Sequence, residues 1–164
     1  MSRFKERSDY YKKIAQNDKI IAHNVAVGNT ALLRKSFHRV NNEEEFNAAC
    51  KNWAHFPCIV HVGQTIGFDH PATGLPKPVI ETHLHFLDKA NTDLHKFESI
   101  AIEYAYDAAY AAMQRFISWM LEDMEVNGIC GSDLFIFNLK GAKADMVGPI
   151  NDNLYGWYLS LIHI

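Results

Sequence analysis

From Phe97 to Gly128 the chain holds a helical pattern with no breaker: Phe97, Ile100, Tyr104, Ala108, Ala112, Phe116, Met120 and Met124 recur at spacings of three and four. This predicts one helix of about 30 residues, far longer than the usual three turns. Its middle is rich in small residues, Ala101, Ala105, Ala108, Ala109, Ala111 and Ala112. They let another element approach closely, and a sheet face is the simplest candidate. Glu103, Asp107, Gln114, Arg115, Glu122 and Asp123 interrupt the stretch, whereas a membrane span needs about 20 nearly uncharged residues. Tyr104, Tyr106 and Tyr110 fall on more than one face. They are expected either at a protein interface or against the N-terminal helices.

The sheet is expected from four alternating or apolar segments. In Ile59–Phe68, Val60, Val62, Ile66 and Phe68 point one way and His61, Gly63, Thr65 and Gly67 the other. In Val79–Leu87, Ile80, Thr82, Leu84 and Phe86 alternate with Val79, Glu81, His83, His85 and Leu87. The Asp69–Pro78 segment between them is rich in turn-forming residues and too long for a tight turn, so it predicts a protruding loop joining antiparallel strands. Leu134–Leu139 and Tyr155–Ile164 read as third and fourth strands, with Gly141–Asn153 as a loop. A long apolar last strand is a liability at an open edge, so it is expected to be central or paired with another subunit.

Toward the N-terminus, Ser8–Asn24 has a helical pattern, and Thr30–Val40 fits either a short helix or an extended arm. Asn42 fits an N-cap, with Glu45 at the third position of a capping-box-like start and Phe46, Ala49, Cys50 and Trp53 on one face. The expected fold class is α+β: an antiparallel sheet of about four strands packed on one long helix, with N-terminal helices. No repeat or linker divides residues 1–164. They read as one domain, with 1–56 a helical region and 57–164 the sheet and long helix.

Charge narrows the partners. Lys and Arg (16) nearly balance Asp and Glu (19), the net charge is −3, and no basic stripe forms, so sequence-specific nucleic-acid binding is not expected. The charged opening Met1–Arg7 lacks the apolar core of a secretory signal. Cys50, Cys58 and Cys130 form no CxxC pair and suit a reducing compartment as buried apolar thiols.

The histidines offer the one constellation with possible chemistry. His83 and His85 leave the same face of a strand, and simple alternation places His61 opposite His85 on the neighbouring strand. Neutral imidazoles grouped this way suit zinc or a similar metal, with Glu81 or His70 as a further ligand. The competing reading is that these are ordinary solvent or interface residues, since no HExxH or Cys/His motif accompanies them. His23, His38, His55 and His95 are dispersed and read as surface or packing residues. No GxSxG elbow, P-loop or GxGxxG occurs, so no catalytic residue and no cofactor is expected.

The order of elements resembles the tail-terminator and tail-completion (neck) proteins of long-tailed bacteriophages. The resemblance runs from Pro57 to Ile164. It rests on the strand ending Phe86-Leu87-Asp88 before a polar turn and a long helix opening near Phe97-Glu98, on the two strands after that helix, and on the closing Asp152-Asn153-Leu154-Tyr155-Gly156-Trp157. It implies a structural virion protein without catalytic residues. Such a protein assembles with itself into a ring, often sixfold, binds other tail or neck proteins, and is found in the virion and, during assembly, in the host cytoplasm. The loop Asp69–Pro78 and the N-terminal arm would be contact elements. The alternative is a small His-rich metal-binding protein or metal-dependent enzyme using His61, His83 and His85. A monomeric adaptor that binds a protein partner is a third possibility.

Overall fold

Alternating side chains from Ala54 to Lys89 build a long two-stranded ribbon, and the rest of the chain is arranged around it. The structure, a computed structural model, describes residues 3–21, 25–26, 33–69, 72–127 and 137–163. In chain order these form α1 (Arg3–Asn17), β1 (Val25–Ala26), β2 (Leu33–Arg39), α2 (Glu43–Ala48), a π-helical turn (Ala49–Trp53), β3 (Ala54–Asp69), β4 (Lys77–Lys89), α3 (Glu98–Asn127), β5 (Phe137–Ile150) and β6 (Leu154–His163). The six strands make one sheet in the order β1-β2-β3-β4-β6-β5. All neighbours are antiparallel except β2 and β3, which run parallel. The fold is α+β, with a single 30-residue helix across the sheet.

Several boundaries differ from the sequence expectation. The N-terminal region expected to be helical also contributes β1 and β2, and the ambiguous Thr30–Val40 segment supplies the extended β2. Helix α1 begins at Arg3 and stops at Asn17, because the Asp18 side chain turns the chain by accepting the Ile20 and Ile21 N–H groups at 2.9 and 3.0 Å. Residues 141–150, expected in a loop, belong to β5, and residues 134–136 of the expected third strand lie outside the described residues. β5 is an edge strand, and an edge tolerates the Gly141, Gly148 and Pro149 that mimic a loop. The last strand, β6, is central, between β4 and β5. Its apolar run is therefore covered within the chain.

The start of α2 forms as its residues dictate. Asn42 Oδ1 accepts the Glu45 N–H at 2.8 Å, and Glu45 Oε2 accepts the Asn41 N–H at 2.8 Å, one residue earlier than in the standard capping box.

Two layers cover the sheet. On one face, α3 and α1 enclose Ile59, Leu84, Phe86, Leu159 and Leu161 together with Tyr11, Ile14, Phe116 and Met120. On the other, α2 and the π-helical turn pack Phe46, Ala49 and Cys50 over Cys58, Val60, Leu87 and Leu154. The alanines of α3 do what their size suggests. Ala101, Ala105, Ala109 and Ala112 are buried, and Tyr155 fills the space over Ala101 and Ala105. The helix is therefore rotated from the expected stripe over its first half, leaving Phe97, Ile100 and Tyr104 exposed. Tyr106 and Tyr110 pack on Trp157, with ring centroids 6.3 and 5.5 Å apart.

Candidate functional site

The three histidines proposed as a metal set do not meet. His61 pairs with Leu84 across the β3–β4 ladder, so its side chain lies on the α1/α3 face. His83 and His85 pair with Gly63 and Val60 and leave the opposite face. The cause is a bulge. Between His61 and Gly63 the register slips, Val62 has no cross-strand partner, and Gly63 takes φ of +144°, a value that favours glycine. Beyond the bulge the alternation of β3 is inverted. Gln64 now faces α1, where its Oε1 accepts Arg7 Nη1 at 3.0 Å, while Thr65 faces His83. The expected grouping of Val60 and Val62 with Ile66 and Phe68 fails for the same reason. No group of three or more His, Cys, Asp or Glu side chains among the described residues is placed to hold a metal ion.

Each histidine instead has a packing environment. His61 is fully buried, with the Phe4 and Tyr11 rings at 4.6 and 5.3 Å. Burial pushes its pKa down to about 4, aided by the Arg39, His83 and Arg7 charges and only partly offset by the Gly63 backbone. His85 lies between the Phe46 and Tyr158 rings, at 5.3 and 5.0 Å, and burial with the nearby His83 lowers it to about 4 as well. Both are neutral at pH 7.

His83, Glu81, Thr65, Tyr158 and Ser160 form a polar cluster on the open part of the second face. The Tyr158 hydroxyl lies 2.5 Å from His83 Nδ1, and Thr65 Oγ1 lies 3.1 Å from His83 Nε2. Ser160 Oγ donates to Glu81 Oε1. Burial raises the Tyr158 phenol, and the Glu81 and Asp145 charges add to this. Both ring nitrogens of His83 lie within hydrogen-bond distance of a hydroxyl, and Ser160 gives its proton to a carboxylate. Tyr158 and Ser160 were not singled out in the sequence. The signal was available, because they share the β6 face opposite Trp157, Leu159 and Leu161.

Among the described residues, two groups of exposed apolar side chains lie elsewhere, apart from the singly exposed Ile20, Val126, Leu139 and Met146. The first is the projecting end of the β3–β4 hairpin, where Ile66, Phe68 and Leu75 are 53%, 72% and 85% exposed. The second is the approach to α3, with Leu94, Phe97 and Tyr104 at 76%, 56% and 59%. Beside it is a cleft of about 470 Å³ whose walls include Phe56, Asp88, Leu94 and Tyr104 and whose lining includes Ala101 and Ala105. Burial raises the Asp88 carboxyl to about 6, against one lowering contact from the Lys89 N–H at 2.8 Å. His95 stacks on Tyr104 at 4.3 Å along the rim. The loop expected over Asp69–Pro78 is shorter: Asp69 belongs to β3, Lys77 and Pro78 belong to β4, and residues 70 and 71 lie outside the described residues. The expected core stripe of α3 does not include an exposed stretch, whereas Phe97, Ile100 and Tyr104 are exposed.

The remaining expected features are accounted for locally. Cys50 and Cys58 are buried free thiols; burial raises Cys50 to about 11 and Cys58 well above the ordinary range. Cys130, His23 and His70 lie outside the described residues. Among the described residues no helix is long and apolar enough to cross a membrane. Compared with known proteins, the chain matches no family model, no curated protein sequence and no solved structure.

Proposed function

We propose that this chain is a structural protein that assembles with itself into a closed ring and caps or joins a phage tail, in the manner of the tail-terminator and tail-completion proteins that its order of elements resembles. In this reading it carries no catalytic group and no cofactor, contacts other tail or neck proteins, and resides in the virion after assembly in the host cytoplasm. One observation carries it: among the exposed apolar side chains are two unlike groups set apart on the subunit, the hairpin end at Ile66, Phe68 and Leu75 and the α3 approach at Leu94, Phe97 and Tyr104. A head-to-tail ring needs two different surfaces on every subunit, whereas a twofold dimer needs one self-complementary patch.

Light scattering on the purified chain at micromolar to hundred-micromolar concentration, with electron microscopy of the same sample, tests this. The expected result is a mass several times 18.7 kDa and ring-shaped particles. A monomer across that range, with no rings, overturns the proposal.

A further inference from the structure

We infer that the hairpin end of one subunit inserts into the α3 cleft of the next copy of this chain. The inference rests on the ring reading above and names the surfaces that would close it.

The two patches lie at opposite ends of one rigid ribbon. Phe56 lines the cleft at the start of β3, and Phe68 stands at the far end of the same strand. From Phe56 to Phe68 the chain runs up to about 40 Å at roughly 3.3 Å per residue. β3 and β4 are paired continuously from Cys58 with Leu87 to Asp69 with Lys77 apart from the one bulge. The hairpin end therefore cannot fold back into its own cleft, and only another copy brings the two together. A contact between opposite ends of a subunit is heterologous and repeats from copy to copy until it closes.

The chemistry of the two ends is complementary. The hairpin end presents Phe68 and Leu75 as projecting apolar groups, and the cleft offers an apolar wall of Phe56, Leu94 and Tyr104 with the small Ala101 and Ala105 beside it. Its volume of about 470 Å³ lies within the range of pockets that enclose a compact apolar ligand. The rim charges are in part opposite: Asp69 is exposed at the hairpin end, and the cleft carries the exposed Lys89 beside the half-buried Asp88. The three apolar side chains of the hairpin end amount to roughly 300–400 Å² of uncovered surface. That is about half of what one partner contributes to a standard interface, and each subunit of a ring takes part in two such contacts.

Cross-linking tests the contact. Phe68→Cys and Leu94→Cys are made separately in a Cys130→Ala background; Cys50 and Cys58 are buried and protected. After oxidation, the mixture of the two variants is expected to give a disulfide-linked dimer that neither gives alone, and the chain with both substitutions a ladder of linked species. Phe68→Asp is expected to abolish assembly while leaving the unfolding midpoint within about 2 °C of the parent, because Phe68 is 72% exposed in its own chain. If the parent assembles but the mixture gives no linked dimer and Phe68→Asp still assembles, this contact is wrong and the ring reading stands. If the parent itself never assembles, the ring reading fails and this inference fails with it.

Discussion

Asp18 joins two helices that are far apart in the chain, and replacing it should show this. Its side chain is fully buried. Oδ2 accepts Arg115 Nε at 2.7 Å, lies 2.6 Å from Arg115 Nη2, and accepts Trp119 Nε1 at 2.9 Å, while Oδ1 accepts the Ile20 and Ile21 N–H groups. One carboxylate thus ends α1 and ties it to α3, nearly 100 residues later in the chain. Burial by itself raises the carboxyl, but Arg115, the Ile21 N–H, Trp119 and the Ile20 N–H outweigh it and hold the pKa at about 2, against an ordinary 3.8. That difference corresponds to roughly 2–3 kcal/mol favouring the folded state when Asp18 is ionised. Asp18→Asn keeps the shape and loses the charge, so it should cost about 2 kcal/mol. Asp18→Ala also strands the indole and two backbone donors, and should cost about 3–4 kcal/mol. Arg115 is about half exposed and can turn to water, so a double-mutant cycle with Arg115→Met should return a coupling of only about 1 kcal/mol. Because the folded pKa is depressed, the ionic contribution is complete above pH 3.8 and disappears as the pH falls toward 2. Urea unfolding at pH 7 measures all three variants. A loss below about 0.5 kcal/mol for both Asp18 variants would refute the reasoning.

Two further perturbations follow from the buried groups. His61 and His85 have folded pKa values of about 4 against 6.5. The unfolded chain therefore binds more protons between these values, and stability should fall by up to about 3 kcal/mol per histidine as the pH drops from 6.5 to 4. Asp88, raised from 3.8 to about 6, opposes one of them, since its contribution is full below pH 3.8 and is lost as the pH rises to 6. The net slope over pH 4–6 should be about one proton, measured by urea titration at several pH values, and His61→Leu should flatten it; a profile unchanged by that substitution contradicts the assignment. At Gly156, an added Cβ would collide with the Phe86 carbonyl of β4, where backbone pairing leaves no room to yield. Gly156→Ala should therefore cost at least about 3 kcal/mol in urea unfolding, and a loss under about 1 kcal/mol would disprove the close approach.

Much of this architecture was legible in the residues, for physical reasons that can be named. The long helix, the α2 cap at Asn42 and the alternation of β4 and β6 each depend on local periodicity or a local hydrogen bond, and each formed where the pattern placed it. The buried side of α3 differs from the hydrophobic stripe over its first half because small size, not hydrophobicity, decides which residues meet the sheet there. Tyr155 packs on Ala101 and Ala105, and with that small-residue side turned to the sheet the larger Phe97, Ile100 and Tyr104 face outward. β5 was hidden because an edge strand can carry Gly and Pro without losing its single ladder. The Asp18 tie was not visible at all, since its partners come from a helix almost 100 residues away and no spacing rule connects them.

The histidine geometry shows how one backbone detail decides a functional reading. Strict alternation from His61 would place it on the face of Thr65, and so beside His83 and His85. The slip between His61 and Gly63 reverses this. A regular strand needs no particular residue at that step, but the positive φ there is one that a side chain opposes. Gly63 thus carried the information that the run of alternating residues lacked. With the bulge, His61 becomes a neutral packing group beneath α1, His83 and His85 stay on the other face, and the metal reading loses its third ligand. Two groups of exposed apolar side chains, Ile66, Phe68 and Leu75 at one end of the β3–β4 ribbon and Leu94, Phe97 and Tyr104 near the other, are the features on which the proposed assembly rests.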